Sequence, residues 1–180
     1  MLNTEVKQLL REEFNEITAD IINSSIFMEL KKEIHHGTTR YNHSIRVAWA
    51  AFICARKLGL DYISVTRAAL CHDLFRKKDC AGLTKKEINR LHPFIAAENA
   101  RERFGLNEIE EDAIVNHMYP LTPIRPAYKE GRLLGYVDKC VAIAEGIGYN
   151  PVSQTIKKAA KSFTEPAYDY EQPVYSLKRR

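Results

Sequence analysis

The sequence predicts an all-α fold with a core of at least five helices, and two observations carry that expectation. Apolar residues recur at helical spacing through nearly every stretch between turn signals. Glycines, prolines and cap residues then cut the chain into pieces of helix length. A third observation concerns chemistry. Six ionisable residues, His43, His72, Asp73, His92, His117 and Asp138, stand on or at the edge of the apolar faces of these pieces. Such groups are costly to bury unless they are paired or bound to a metal. No convincing strand, internal repeat or domain boundary is predicted.

The first helix carries Val6, Leu9, Leu10, Phe14, Ile17 and Ile21. A short second one carries Ile26, Phe27, Leu30 and Ile34 and is expected to stop at His35-His36-Gly37, where glycine favours termination. Both histidines then read as partly exposed helix-end residues that suit the dipole, with a role behind the ligands or at phosphate as the alternative. A longer helix spans about 41–58 and ends at Gly59, with His43 opening the stripe Val47, Ala50, Ala51, Cys54 and Leu58. Asp61 is placed to cap the next helix, whose stripe of Val65, Ala68 and Ala69 runs into His72-Asp73. A polar loop, Arg76-Lys77-Lys78-Asp79, follows.

Thr84 and Glu87 form a capping-box signature. Pro93 is expected to break or restart the helix that they open, leaving His92 just before a helix start. Asn107 caps a helix holding Ile109, Ala113, Ile114 and His117. Three prolines between 120 and 126 mark a loop, with Tyr119 either lining a pocket or packing on its rim. The last core helix, about 128–147, has the stripe Leu134, Asp138, Val141, Ala142 and Glu145. Asn150-Pro151 reads as the start of a short helix to about Phe163, and the remainder as an extended tail.

At 180 residues the chain reads as one domain, with N-terminal helices over 3–36, a core over 41–145 and a C-terminal helix and tail over 151–180. A net charge of +4 is too mild to argue for nucleic acid, and it suits a small anionic substrate. Four cysteines without a CxxC pair suggest a reducing, cytoplasmic setting. The absence of a signal peptide and of a long apolar run gives no support for a membrane partner. Oligomeric state is left open, with a homodimer among the options.

Imidazole nitrogen with carboxylate oxygen suits iron, manganese, zinc or cobalt better than calcium. Asp73, next to a histidine of the set, is the best candidate to bridge two ions. Two ions sharing a carboxylate can clamp a phosphoryl group and lower the pKa of a water between them. No Ser-His-Asp order, nucleophile elbow, P-loop or dinucleotide loop competes.

This order on an all-helical chain resembles the HD-domain superfamily of metal-dependent phosphohydrolases. More narrowly, it is similar to small bacterial members with the longer His…His-Asp…His…His…Asp set. The resemblance implies an HD-type helical bundle with one ion at His43, His72, Asp73 and Asp138. It places a second ion at His92 and His117, with Asp73 between them. The family often has a lysine three residues after the His-Asp aspartate, and here Arg76 stands there with Lys77 beside it. The resemblance therefore implies that Arg76 or Lys77 orients substrate phosphate while Asp73 anchors the chemistry.

Arg40 and Arg46, flanking His43, are either further phosphate partners or a solvated face. The Gly-Tyr-Pro motif of the cyclic-dinucleotide branch is missing, whereas Leu91-His92-Pro93 is shared with bacterial dinucleoside-polyphosphate hydrolases. The expected function is hydrolysis of a small phosphorylated substrate, a nucleotide or dinucleoside polyphosphate, by attack of metal-bound hydroxide on phosphorus. No nucleic-acid partner is expected. The alternatives are a di-iron oxygenase on the same ligands and a non-catalytic ligand-binding HD module.

Overall fold

Four polar residues start four of the helices. The side chains of Thr39, Asp61, Thr84 and Asn107 accept the backbone N–H three residues on, at 3.2, 3.0, 3.3 and 2.8 Å. Each satisfies a donor that the first helical turn leaves without a partner. In the computed structural model, which describes residues 4–35 and 38–147, these caps fall within an all-α bundle. The helices are α1 (Thr4–Ile22), α2 (Ser25–Glu29), α3 (Arg40–Leu58), α4 (Tyr62–Cys71), α5 (Lys85–Phe104), α6 (Glu108–Asn116) and α7 (Lys129–Ile147). Single 3-10 turns follow α2 and precede α5.

Helix α3 packs along α4 and α7; α4 also meets α1 and α6, and α6 lies against α5 and α7. Alanines line the buried faces of α3 (Ala48, Ala51, Ala55) and α4 (Ala68, Ala69), which permits close approach of the two backbones. Aromatic mass fills the space toward α1. Phe14 meets Trp49 edge-on at 5.1 Å and Phe52 at 5.6 Å. Helix α3 ends at Gly59, whose φ of 65° is a left-handed conformation that glycine adopts without strain.

Three expectations need correction. The second helix stops at Glu29, and Ile34–His35 (β1) pairs antiparallel with Thr38–Thr39 (β2), so this stretch is a minimal hairpin. Three of the four paired residues are β-branched, and the Arg40 N–H donates to the Glu33 carbonyl at 2.7 Å, closing the hairpin at the start of α3. Pro93 lies inside an unbroken α5. It removes one N–H from the ladder, and the carbonyl left without its donor belongs to the solvent-exposed Asn89, where water can replace the bond. At the first helix, Val6 and Leu9 are exposed, and the buried face is Phe14, Thr18, Ile21 and Ile22. The expected helix after Asn150, the tail and His36 lie outside the described residues. No described helix is long and apolar enough to cross a membrane.

Phe14→Ala should cost about 3–5 kcal/mol of unfolding free energy, the range for deleting a fully buried ring. Chemical denaturation followed by circular dichroism would show it as an earlier midpoint with helicity retained below the transition.

Candidate metal centre

The six ionisable residues arrive from five helices. His43 lies in the first turn of α3, and His72 is the C-cap of α4 with Asp73 just beyond. His92 stands in mid-α5, His117 is the C-cap of α6, and Asp138 projects from the middle of α7. The histidines are nearly inaccessible: His43 is 0%, His72 1%, His117 2% and His92 7% exposed.

Three of the rings are oriented in the same way. Nδ1 of His72 bonds the Ala69 carbonyl at 2.7 Å, that of His117 the Ile114 carbonyl at 2.7 Å, and that of His92 the Ile88 carbonyl at 3.0 Å. A carbonyl can only accept, so each Nδ1 carries a proton and each ring, when neutral, turns an Nε2 lone pair inward. The Nε2 atoms of His92 and His117 face one another at 3.2 Å. With both protons on Nδ1, two lone pairs confront each other unless a cation lies among them. His72 Nε2 is buried and has no hydrogen-bond partner; Asp138 Oδ1 is 3.5 Å away. Asp73 Oδ1 lies 3.5 Å from His92 Nε2.

Three overlapping groups have donor atoms within 4.8 Å of one another: His43, His72 and Asp73; His72, His117 and Asp138; and Asp73, His92 and His117. An unpartnered buried nitrogen, facing lone pairs and two carboxylates fit a divalent cation, and the nitrogen–oxygen donor set suits a transition metal.

The electrostatics agree. Burial, reinforced by the neighbouring His72 ring, pushes His117 down to about 3, and burial also lowers His92. Burial opposes a charge on His43 too, but Asp138 (3.0 Å from Nε2) and Glu145 (2.8 Å from Nδ1) outweigh it and push the ring up to about 10. Asp138 is likewise desolvated, yet its contacts with His43 and His72 hold it well below the usual carboxylate range. For His72, burial is outweighed by Asp73 and Asp138 and the ring is raised. A proton on its Nε2 would meet only an oxygen at 3.5 Å, beyond good hydrogen-bond length, so a cation serves that nitrogen better than a proton does.

A cavity of about 430 Å³ opens over this cluster, with His72, Asp73, His92, His117 and Asp138 in its lining. Its cations are Arg40, Lys85 and Lys139, and Phe75, Ile88, Met118 and Leu121 make an apolar wall. Arg76 and Lys77, expected at substrate phosphate, are not among the lining residues. Arg76 donates to both oxygens of Asp79 (2.8 and 2.7 Å) and to Glu29 (2.9 Å). Those contacts raise its pKa and fix it as the cap of a 3-10 turn. Lys77 contributes a backbone N–H to Glu33.

Arg40 takes up a cavity-lining position instead. Its guanidinium lies 3.8 Å over the Phe75 ring, with Nε 3.5 Å from Asp73 Oδ2. Being three residues before His43 on one helix was a usable signal for it. Lys139 adjoins Asp138, and Glu145 follows that residue by two turns. Lys85 gave no signal, since only tertiary packing brings the start of α5 to this cavity.

A family model described as "HD domain" matches residues 40–144. Among curated proteins, ribonuclease Y of Thermotoga maritima is 29% identical over 150 residues, which is 83% of this chain and 28% of that protein. Ribonuclease Y of Thermosipho melanesiensis is 26% identical over 183 residues, covering 96% of this chain and 34% of its own. That of Thermus thermophilus is 38% identical over 85 residues, covering 47% and 14%. The chain thus spans about a third or less of each of these relatives. No solved structure gives a significant match.

The opposite shifts of His117 and His43 predict how the metal-free protein responds to pH. His117 in the fold titrates near 3, below its ordinary 6.5, so the unfolded chain takes up the extra proton and stability drains as pH falls from 6.5 toward 3. His43 titrates near 10, so its contribution is complete below 6.5 and is lost as pH rises through 10. Thermal unfolding of chelator-treated protein should therefore give a midpoint that is highest near neutrality and lower on both sides. A midpoint that climbs steadily into alkali would contradict the His43 environment.

Proposed function

The chain belongs to the HD domain family, and from that membership and the geometry of the centre we propose that it is a hydrolase of small phosphorylated substrates, with a nucleotide or dinucleoside polyphosphate as the expected class. The observation that carries this reading is the convergence of inward Nε2 lone pairs and carboxylates beneath a cavity with three cationic side chains. His43, His72, Asp73 and Asp138 would hold one divalent ion, and His92 and His117, with Asp73 shared, a second. Iron, manganese, zinc and cobalt suit these donors. Bound there, the ions supply Lewis acidity, activating water and offsetting charge on the phosphoryl group.

The chain's own residues do the rest. Asp73 lies between the two ligand groups and ties them together. Arg40, pinned by Phe75 through its ring face and by a 2.9 Å bond from its guanidinium to the Phe75 carbonyl, presents a buried charge beside Asp73. Lys85 and Lys139 extend that charge along the wall, where a second phosphate would lie. Lys139 is steadied by the carbonyls of His117 and Gly135 at 3.2 and 2.9 Å. The apolar wall suits the organic part of the substrate. Four free cysteines favour a reducing, cytosolic setting.

A second reading, cleavage of an RNA phosphodiester, is favoured by the name of the relatives, ribonuclease Y. A floor this deeply buried admits a terminal phosphate more readily than a continuous strand, so the small-molecule reading leads. Assaying phosphate release from nucleotides and dinucleoside polyphosphates beside cleavage of a single-stranded RNA, with manganese or iron added, separates the two. Activity on RNA alone would reverse the order.

Variants test the roles. Asp73→Ala should release metal and abolish turnover with the helical fold intact, and Asp73→Asn should bind metal weakly for want of the charge. Lys85→Ala and Lys139→Ala should raise KM severalfold at full metal content, as loss of groups that bind substrate phosphate. Arg76→Ala should leave KM unchanged and lower the melting midpoint, because its partners are Asp79 and Glu29. Metal stoichiometry, kinetics and thermal melts on the same preparations decide each point.

A further inference from the structure

We propose that Glu145 is a positioning residue of this centre, holding His43 so that Nε2 faces Asp138 and the ligand cluster. The inference rests on the metal-centre reading but concerns a residue just beyond the segment matched by the family model, which ends at 144. His72, His92 and His117 are each oriented by a carbonyl of the helix that bears or precedes them. His43 is held by a carboxylate: its Nδ1 bonds Glu145 Oε2 at 2.8 Å. Glu145 is two turns beyond Asp138 on α7, so a single helix addresses both nitrogens of the ring. Its side chain is 7% exposed, and its second oxygen accepts from Arg46 at 2.8 Å.

With both carboxylate oxygens engaged, Glu145 has little freedom to turn away. The Nδ1 proton is thereby kept on the Glu145 side, and Nε2 is the nitrogen left for a metal. An anionic acceptor also makes the imidazole a stronger donor than a neutral carbonyl does. His43 is in this way set apart from the other three rings by the charge behind it. The competing explanation is an ion pair of Glu145 with Arg46 that merely joins α7 to α3.

Two conservative substitutions in the full chain separate these explanations. Glu145→Asp keeps the charge but withdraws the carboxylate by one methylene, out of reach of Nδ1. Glu145→Gln keeps the reach and an accepting oxygen but loses the charge. Cobalt(II) affinity, followed by visible absorption under chelator competition, is measured beside the His43 tautomer by nitrogen-15 NMR of the zinc-loaded protein. The proposal expects Glu145→Asp to weaken cobalt binding by about 10–100-fold and to lose the single Nδ1–H tautomer. Glu145→Gln should keep that tautomer and lose less affinity.

Wild-type affinity and tautomer in Glu145→Asp overturn the proposal. So does a lowered metal-free melting midpoint with affinity and tautomer unchanged, since that is the signature of an ion pair alone. Wild-type protein that takes up neither ion overturns the metal-centre reading itself, and the inference with it.

Discussion

The centre is governed by a confrontation of like groups. Two imidazole nitrogens stand 3.2 Å apart with their protons committed to carbonyls on the far sides of the rings, and a third buried Nε2 lies among them without a partner. In water such an arrangement would disperse, each nitrogen taking a solvent proton donor. Here the rings cannot turn, because their Nδ1 bonds are to helix backbone, and they cannot separate, because the helices are packed. Positive charge is the remaining way to relieve the repulsion. The carboxylates of Asp73 and Asp138 set among them make a divalent cation the natural source of it.

The bundle is arranged to keep that confrontation in place. His72 and His117 leave from the C-caps of α4 and α6, where the helix has just ended and a side chain can fold back onto the carbonyl three residues earlier. Helix α7 then has to pass very near the end of α6 for Asp138 to reach them. Gly135 permits it: a Cβ there would come within 2.8 Å of the His117 carbonyl oxygen. Gly131 does the same one turn earlier, where a Cβ would meet Pro126 at 2.8 Å. Asp138 follows Gly135 by three residues, so the close approach and this candidate ligand share one face of the helix. Sequence, packing and chemistry meet at this glycine.

Much of this was legible from the sequence because the signals are local. Caps at Asp61, Thr84 and Asn107 lie within three residues of the donors they satisfy, and the stripes of α3, α4 and α7 repeat within a helix. The six candidate ligands stood out because each put charge on or beside an apolar face. What escaped depended on packing and on which partner each group finds in the fold. Arg76 occupied a position at which the resemblance implies a phosphate-binding role, but the nearby Asp79 and the remote Glu29 claim its guanidinium. Pro93 suggested a break, but the carbonyl it leaves without a donor belongs to the exposed Asn89, so the lost bond costs little. Glu145 read as one more member of a stripe, since its partners His43 and Arg46 are about a hundred residues earlier in the chain.

The contrast between Arg40 and Arg76 shows how the cavity acquires its field. Both are basic residues close to the ligand set in sequence, and both are largely buried on their side chains, at 10% and 16% exposure. Arg76 meets one aspartate in a two-bond fork and a glutamate besides, so its charge is neutralised locally. Arg40 makes one bond to a neutral carbonyl, rests on an aromatic face, and approaches its carboxylates only at 3.5 and 3.8 Å. More of its field is therefore left for the cavity. Lys85 and Lys139 add to that field from α5 and α7, on positions that are not themselves ligands. The floor of candidate ligands and the charged wall are thus built from neighbouring but separate side chains. The charge of the wall can therefore change by substitution while the cluster beneath keeps its geometry.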